Sequence, residues 1–214
     1  MRVRDVMKED VITVDARTPI MAALDTMQQN HIKRLPVTRK GKLTGLVTRS
    51  MLRDASPSKA TSLSVHELNY ILSKMTVEDI MVKEPTTVAP DLPVEDAIWL
   101  GKEHGIGAFP VVEKGKLVGM ITESDITGVV SDALGLAEKD SRRLTIDASG
   151  GRFGFLKGIV DVLDVHRTPI LSIMSVPGKQ GSASGFLVLR LRARDVDAAV
   201  EDLQKAGYRV TDVT

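Results

Sequence analysis

Arg34-Leu-Pro-Val-Thr-Arg-Lys-Gly-Lys-Leu-Thr-Gly-Leu-Val-Thr48 returns 74 residues later as Ala108-Phe-Pro-Val-Val-Glu-Lys-Gly-Lys-Leu-Val-Gly-Met-Ile-Thr122. The match runs outward from this stretch without a gap and pairs residues 5–52 with residues 79–126. Identical pairs include Asp5/Asp79, Met7/Met81, Thr13/Thr87, Val14/Val88, Pro19/Pro93, Ala23/Ala97 and Ile32/Ile106. Sixteen identities fall within the span, where ordinary residue frequencies would give about three. A duplicated unit that cannot bury its own hydrophobic face packs against its twin, so the repeat sets the architecture.

Each copy reads as β-α-β-β-α. Val11-Ile-Thr-Val14 is a β-rich run, and Thr18-Pro19 supplies an N-cap followed by proline at the first helical position. Ile20, Ala23, Leu24 and Met27 recur at helical spacing and form the buried face of that helix. Arg34 begins a second strand, Arg39-Lys-Gly-Lys42 is a tight turn, and Leu43–Val47 is the returning strand. The second copy repeats the pattern around Thr87-Val88, Val94–Leu100, Phe109–Val112, Lys114-Gly115 and Leu117–Ile121. Repeat 1 is expected over residues 1–54, a linker insert over 55–76 and repeat 2 over 77–135. In the insert, Ser56-Pro-Ser-Lys-Ala-Thr-Ser62 reads as a loop, and Ser64 with Glu67 opens a helix as a capping box. Val65, Leu68, Ile71, Leu72 and Met75 give that helix one apolar face, suited to packing on the repeats. His66-Glu67 fails as a zinc motif, because Tyr70 stands where the second histidine is required.

The remaining third, 142–214, reads as βαββαβ, a small sheet with helices on one face. Leu144–Asp147, Pro169–Val176, Phe186–Leu191 and Tyr208–Val213 are the strands. One helix turns Leu156, Ile159, Val160, Leu163 and Val165 inward. The other is capped by Asp195, buries Val196, Ala199, Val200 and Leu203, and stops at Gly207. The loop at 178–185 lacks the lysine and hydroxyl spacing of a P-loop and reads as a hairpin connection.

Composition removes several classes of function. A net charge of +1 leaves no electrostatic footprint for nucleic acid or an anionic membrane. Aromatics at 3% argue against base stacking on single strands. The absence of cysteine excludes disulfides, thiolate metal sites and cysteine nucleophiles. There is no apolar run long enough for a membrane span and no signal-peptide core, so the expected compartment is the cytoplasm. His31, His66, His104 and His166 are scattered, with no triad or metal-ligand spacing, and no catalytic site is expected.

The informative segment is Gly119-Met-Ile-Thr-Glu-Ser-Asp125. A strand ends and a helix begins there, offering backbone N–H groups and the positive end of the helix dipole to an anion. The Thr122 hydroxyl sits at the helix start, and the Asp125 carboxylate one turn later can accept both hydrogens of a vicinal diol. That combination suits a phosphorylated ribose; the same two residues equally suit helix capping.

The duplicated unit resembles the CBS (cystathionine β-synthase) domain pair, or Bateman module, in which a Gly-apolar-apolar-Thr/Ser-x-x-Asp motif binds ribose. Gly119–Asp125 matches that motif fully, whereas Gly45-Leu-Val-Thr-Arg-Ser-Met51 departs at the last position. The resemblance implies a site combining Gly119, Thr122 and Asp125 with Val11, Ile12 and Thr13 around the base and Lys33, Arg34, Leu35 and Pro36 on the other side. Lys33 or Arg34 would pair with phosphate. A second site would join Thr48 and Met51 to Thr86, Thr87, Val88, Gly107, Ala108 and Phe109, without carboxylate or basic pair. A missing charged hydrogen bond of about 1.5–3 kcal/mol makes it about 10- to 150-fold weaker.

The C-terminal segment resembles an ACT domain, which implies a ferredoxin-like fold and a role in dimerisation or amino-acid binding. Its ligand loop would comprise Gly150, Gly151, Arg152, Phe153 and Gly154, with Phe153-Gly154 replacing the family's Pro-Gly. The order CBS, CBS, ACT resembles the acetoin-utilisation protein B group of bacterial regulators. Together these resemblances imply an α/β (α+β) protein that acts as a non-enzymatic regulatory sensor. Its ligand would be an adenosine-containing nucleotide (AMP, ADP or ATP, with NAD or S-adenosylmethionine as variants). No catalytic cofactor is expected; the implied partners are the nucleotide, a second copy in a homodimer and a regulated protein. The alternative is a protein-interaction scaffold with vestigial pockets.

Overall fold

In a computed structural model of the chain, which describes residues 1–55, 74–149, 153–178 and 185–214, both Lys-Gly pairs make the tight turns that their spacing predicts. Lys40 and Gly41 have φ of 52° and 76°, and Lys114 and Gly115 have 50° and 78°. Two successive left-handed residues match the twist of flanking antiparallel strands, and glycine adopts that conformation without a Cβ penalty. The turns close the hairpins β1 (Arg34–Arg39) with β2 (Lys42–Thr48), and, in the second copy, β4 (Ala108–Glu113) with β5 (Lys116–Thr122). A short strand β3 (Val82–Lys83) adds to β2.

The helices of the repeats are α1 (Ile20–Gln29), α2 (Arg49–Asp54), α3 (Val94–His104) and α4, which opens at Glu123 and runs to Ala133. Ile20, Ala23 and Met27 are buried as their spacing predicts, and Leu24 is partly buried against the same core. The predicted cap shifts by one residue: Pro19, not Thr18, is the N-cap of α1. The Thr18 carbonyl accepts the Val77 N–H at 2.9 Å and the Ile20 N–H reaches the Met75 carbonyl, so Thr18 is tied to the crossing segment and helix formation starts later.

The predicted first strands of both copies are not strands. Val14 makes only an isolated parallel bridge to Val37, and Val88 makes the equivalent bridge to Val111. Val14 donates to the Pro36 carbonyl and accepts from Thr38. Continuing that ladder toward Ile12 needs an N–H from residue 36, and proline has none. Pro110 ends the second copy's ladder in the same way.

Two 3-10 turns, Val3–Asp5 and Val77–Asp79, exchange partners between the copies. Val3, wholly buried, packs with Val88, Ala97, Phe109, Val111 and Ile121 of the second repeat. Its counterpart Val77, also wholly buried, packs with Val14, Ile20, Leu35, Val37 and Leu52 of the first. Each repeat's core is therefore completed by the segment that enters the other, and each such valine contributes about 1.5–3 kcal/mol by burial. The predicted insert loop and the helix opened by Ser64 lie outside the described residues.

The chain divides into two compact units, Met1–Ile126 and Thr127–Thr214. The second contains β6 (Arg142–Asp147), α5 (Phe155–Val165), β7 (Ile170–Pro177), β8 (Gly185–Leu191), α6 (Asp197–Lys205) and β9 (Val210–Val213). The sheet is antiparallel with order β7-β8-β6-β9, the ferredoxin-like arrangement expected of βαββαβ. Leu144, Ile146, Leu187, Leu189 and Leu191 meet Ile159, Leu163, Ala199 and Leu203 in one core. Leu156 and Val165, expected inward, are exposed, and Phe155 and Val162 pack on that core instead. Asp195 accepts the Asp197 N–H from outside the helix, so Val196 rather than Asp195 is the N-cap of α6.

Candidate functional site

β5 delivers Thr122 to the start of α4, where it and Asp125 face each other across the first turn. Asp125 Oδ2 accepts the Thr122 N–H at 2.9 Å and its hydroxyl at 2.5 Å, while the Asp125 N–H points back to the Thr122 hydroxyl at 3.4 Å. This reciprocal arrangement is a capping box. Capping thus uses one carboxylate oxygen, Oδ2, and does not use Oδ1. Lys8 stands against that second oxygen, its ammonium 3.4 Å from Asp125 Oδ1.

The segment that carries Lys8 also leads into the first repeat. The Lys8 N–H and carbonyl pair with the Met120 carbonyl and N–H, both at 2.9 Å, and three residues later the chain reaches Val11. Ile12 and Thr13 are exposed, the Thr13 hydroxyl lies 3.3 Å from that of Thr38, and Val14 lies beside Pro36 and Val37 of β1. At the start of β1 the Arg34 guanidinium returns to the second repeat. A Cβ built on Gly107 would meet Arg34 Nη2 at 2.7 Å and Glu123 Oε2 at 2.9 Å, so both groups lie over Gly107 at the first residue of α4. The residues from Val11 to Thr13 and from Lys33 to Pro36 therefore adjoin one another, and the elements bearing them meet the Thr122–Asp125 turn at two places, Lys8 and Arg34. Lys33 is exposed, whereas the Leu35 and Pro36 side chains are buried, Leu35 within the repeat 1 core.

Gly119 serves packing. A Cβ there would meet Met7 Sδ at 2.6 Å and the Lys8 carbonyl at 3.1 Å, so glycine is what lets the entering segment cross β5. Gly45 is covered in the same way by Met81.

At the twin corner Thr48 accepts the Met51 N–H at 3.3 Å, which is half of a capping box, and Met51 packs against the repeat 1 core. Thr86 and Thr87 are exposed and Val88 is buried beside Pro110, while Ala108 is buried in β4. Gly107, expected with this second group, has over it Arg34 and Glu123, which border the first. Arg49, the counterpart of Glu123, turns its guanidinium to the carbonyls of Met27 and Ile32, at the C-terminal end of α1. In the second unit, Gly150, Gly151 and Arg152 lie outside the described residues. Phe153 is fully exposed, and Gly154 is the N-cap of α5 at φ 84°.

Lys8 and Glu123 escaped the sequence reading. The signal was present in the repeat itself: aligned position by position, Lys8 faces Val82, Asp125 faces Met51 and Glu123 faces Arg49. These unlike positions converge in space only after the entering segments exchange.

The CBS domain model matches residues 3–58 and 77–132, more than half of the chain. A CBS domain-containing protein of Dictyostelium discoideum is 31% identical over 134 residues, covering 62% of this chain and 92% of that protein. An inosine-5'-monophosphate dehydrogenase of Thermoplasma acidophilum is 29% identical over 71% of this chain but only 28% of its own length. Among solved structures, a protein from Vibrio cholerae assigned to acetoin utilization (AcuB) shares 26% identity at TM-score 0.54, over 65% of this chain and 98% of that one. The CBS domain pair of protein MJ0100, solved with 5'-methylthioadenosine and S-adenosyl-L-methionine, matches at 26% identity and TM-score 0.51, over 61% of this chain and 96% of that one. CBSX2, solved with AMP, matches at the same identity and TM-score over 60% of this chain and 95% of that one. No helix among the described residues is long and apolar enough to cross a membrane. With two matched copies whose cores are completed by each other's entering segments, the chain belongs to the CBS domain family.

Proposed function

We propose that the repeat pair is a regulatory, non-enzymatic sensor of an adenosine-bearing ligand, held where Thr122 and Asp125 meet Val11–Thr13 and Lys33–Pro36. The observation that carries this reading is the Asp125 carboxylate, whose side chain is only 11% exposed. Oδ2 is fixed by Thr122, and the cap does not use Oδ1, which meets the exposed Lys8 ammonium and serves as the acceptor for ribose hydroxyls. The ladder that ends at Pro36 leaves the exposed Ile12 and Thr13 outside any strand pairing, a wall able to hydrogen-bond the edge of a base. Adenosine ligands in MJ0100 and CBSX2 support the same ligand class. The second corner, with Met51 packed into the core, is a weak or empty site.

In this reading the βαββαβ unit is an ACT-type module that dimerises the protein or adds an amino-acid input, as the resemblance to the acetoin-utilisation group implies. Ligand binding regulates a partner only by favouring one arrangement of the protein over another, since equal affinity for two states shifts neither.

Calorimetric titration of AMP, ADP, ATP, NAD and S-adenosylmethionine tests the site. The expected result is saturable binding of one ligand per chain, weakened at least tenfold by Asp125→Asn and Asp125→Ala. Asn keeps an oxygen for the cap, so agreement between the two variants separates ligand contact from helix stability. No binding across the panel, or unchanged affinity in both variants, overturns the assignment and favours a scaffold.

A further inference from the structure

We propose that Lys8 is the selectivity element of this cleft: it neutralises Asp125 when the cleft is empty and faces the anionic end of the ligand when it is filled. The cleft then prefers phosphorylated adenosine to uncharged adenosine or a cationic sulfonium. This inference rests on the reading of the Thr122–Asp125 corner as an adenosyl site.

The position of Lys8 is set by its backbone, which makes two 2.9 Å hydrogen bonds with Met120, two residues before Thr122. Its side chain is free of that duty. It reaches Asp125 Oδ1, the oxygen that the capping box does not use, while remaining 73% exposed against 11% for the carboxylate. An ion pair with one member so open to water does little for the fold and is readily exchanged for a better anion. The flexible four-carbon stem lets the ammonium move to that anion without disturbing the backbone pairing with Met120.

The twin corner is an internal control. Val82 holds the same place as Lys8, paired with Leu46 as Lys8 is with Met120. Val82 stands there without a charge, and its neighbour across the corner is Met51 in place of Asp125. The backbone crossing therefore needs no lysine. Cation and carboxylate are present together at one corner and absent together at the other, which ties Lys8 to the chemistry of Asp125. Arg34 approaches the same helix start over Gly107, beside Glu123, and its own counterpart is Ala108. Two cations of the first repeat, one from the entering segment and one from the start of β1, thus border the first turn of α4. An arriving phosphate draws on them, and Asp125 is left to the ribose hydroxyls.

The test is calorimetric titration of AMP, adenosine and S-adenosylmethionine into wild type, Lys8→Met, Lys8→Arg and Asp125→Asn. A charge-assisted contact predicts that Lys8→Met weakens AMP ten- to hundredfold and that Lys8→Arg restores most of the loss. Adenosine changes less than threefold, and S-adenosylmethionine binds as well or better. Asp125→Asn weakens all three. Equal losses for AMP and adenosine in Lys8→Met, with binding still dependent on Asp125, overturn the role of Lys8 and leave the site standing. Wild type that binds none of the three overturns both. Unchanged thermal melting of Lys8→Met, expected for so exposed a side chain, shows that losses are not unfolding.

Discussion

The Met7 sulfur lies over Gly119 so closely that a Cβ on the glycine would come within 2.6 Å of it. The Lys8 carbonyl at 3.1 Å closes the other side, and backbone cannot give way as a side chain can. Gly119→Ala is therefore expected to destabilise the first unit by about 1–3 kcal/mol through overpacking. Gly128, inside α4 with nothing within 4 Å of its would-be Cβ, should respond oppositely. Gly128→Ala should gain about 0.5–1 kcal/mol from helix propensity. Denaturant melts of the two variants decide it, and similar losses in both would contradict the crossing.

Val3 and Val77 occupy equivalent places in opposite cores, both with no exposed surface. Val3→Ala should cost about 1.5–3 kcal/mol, and hydrogen exchange should show loss of protection in β4 and β5 rather than in β1 and β2. Val77→Ala should cost a similar amount with the pattern reversed. Loss confined to each valine's own repeat would refute the exchange.

His31 sits at φ 53°, where its counterpart is Gly105 at 66°. The His31 N–H donates to the Gln28 carbonyl at 3.2 Å and the Ile32 N–H to the Met27 carbonyl at 2.9 Å, which is a Schellman stop for α1. A side chain in the left-handed region carries a conformational cost, so His31→Gly should stabilise the first unit by roughly 0.5–1 kcal/mol. A loss of stability would indicate that the imidazole makes an interaction worth more than the strain.

Asp202 is held below the ordinary carboxylate value of 3.8 by hydrogen bonds from Lys205 and from His166. Asp147 is lowered by hydrogen bonds from Ser149. A depressed carboxylate stabilises the fold above its unfolded value and loses that contribution as pH falls through the lowered one. The second unit should therefore hold its stability from neutral pH toward 3.8 and weaken below it, and Asp202→Asn should flatten that slope. Lys205 is raised above 10.5 by its hydrogen bond to Asp202, so its contribution is present below that value and is lost as pH climbs through the raised one. Urea melts across pH on wild type and Asp202→Asn check both limbs.

Much of this was legible in the chain. The hairpins followed from Lys-Gly pairs between apolar runs, the helix faces from the spacing of Ile20, Ala23 and Met27, and the ferredoxin-like order from the alternation of elements after Arg142. The misread strands had a local cause, since Pro36 and Pro110 withhold the N–H that would extend the ladder. Leu156 and Val165 were misplaced because apolar character alone does not say which flank of an amphipathic helix meets the sheet.

The sequence by itself determined that there are two like units, where each turns, which face of the first helix is buried, and that Thr122 and Asp125 stand one helical turn apart. Only the tertiary structure decided that Val3 completes the second core and Val77 the first, and that Lys8 arrives at Asp125. Hydrophobic patterning encodes that a side chain must leave water, but two copies with the same pattern offer it two equivalent refuges. The choice between them is made by chain crossing and close packing, in which Met7 over Gly119 and Met81 over Gly45 take part.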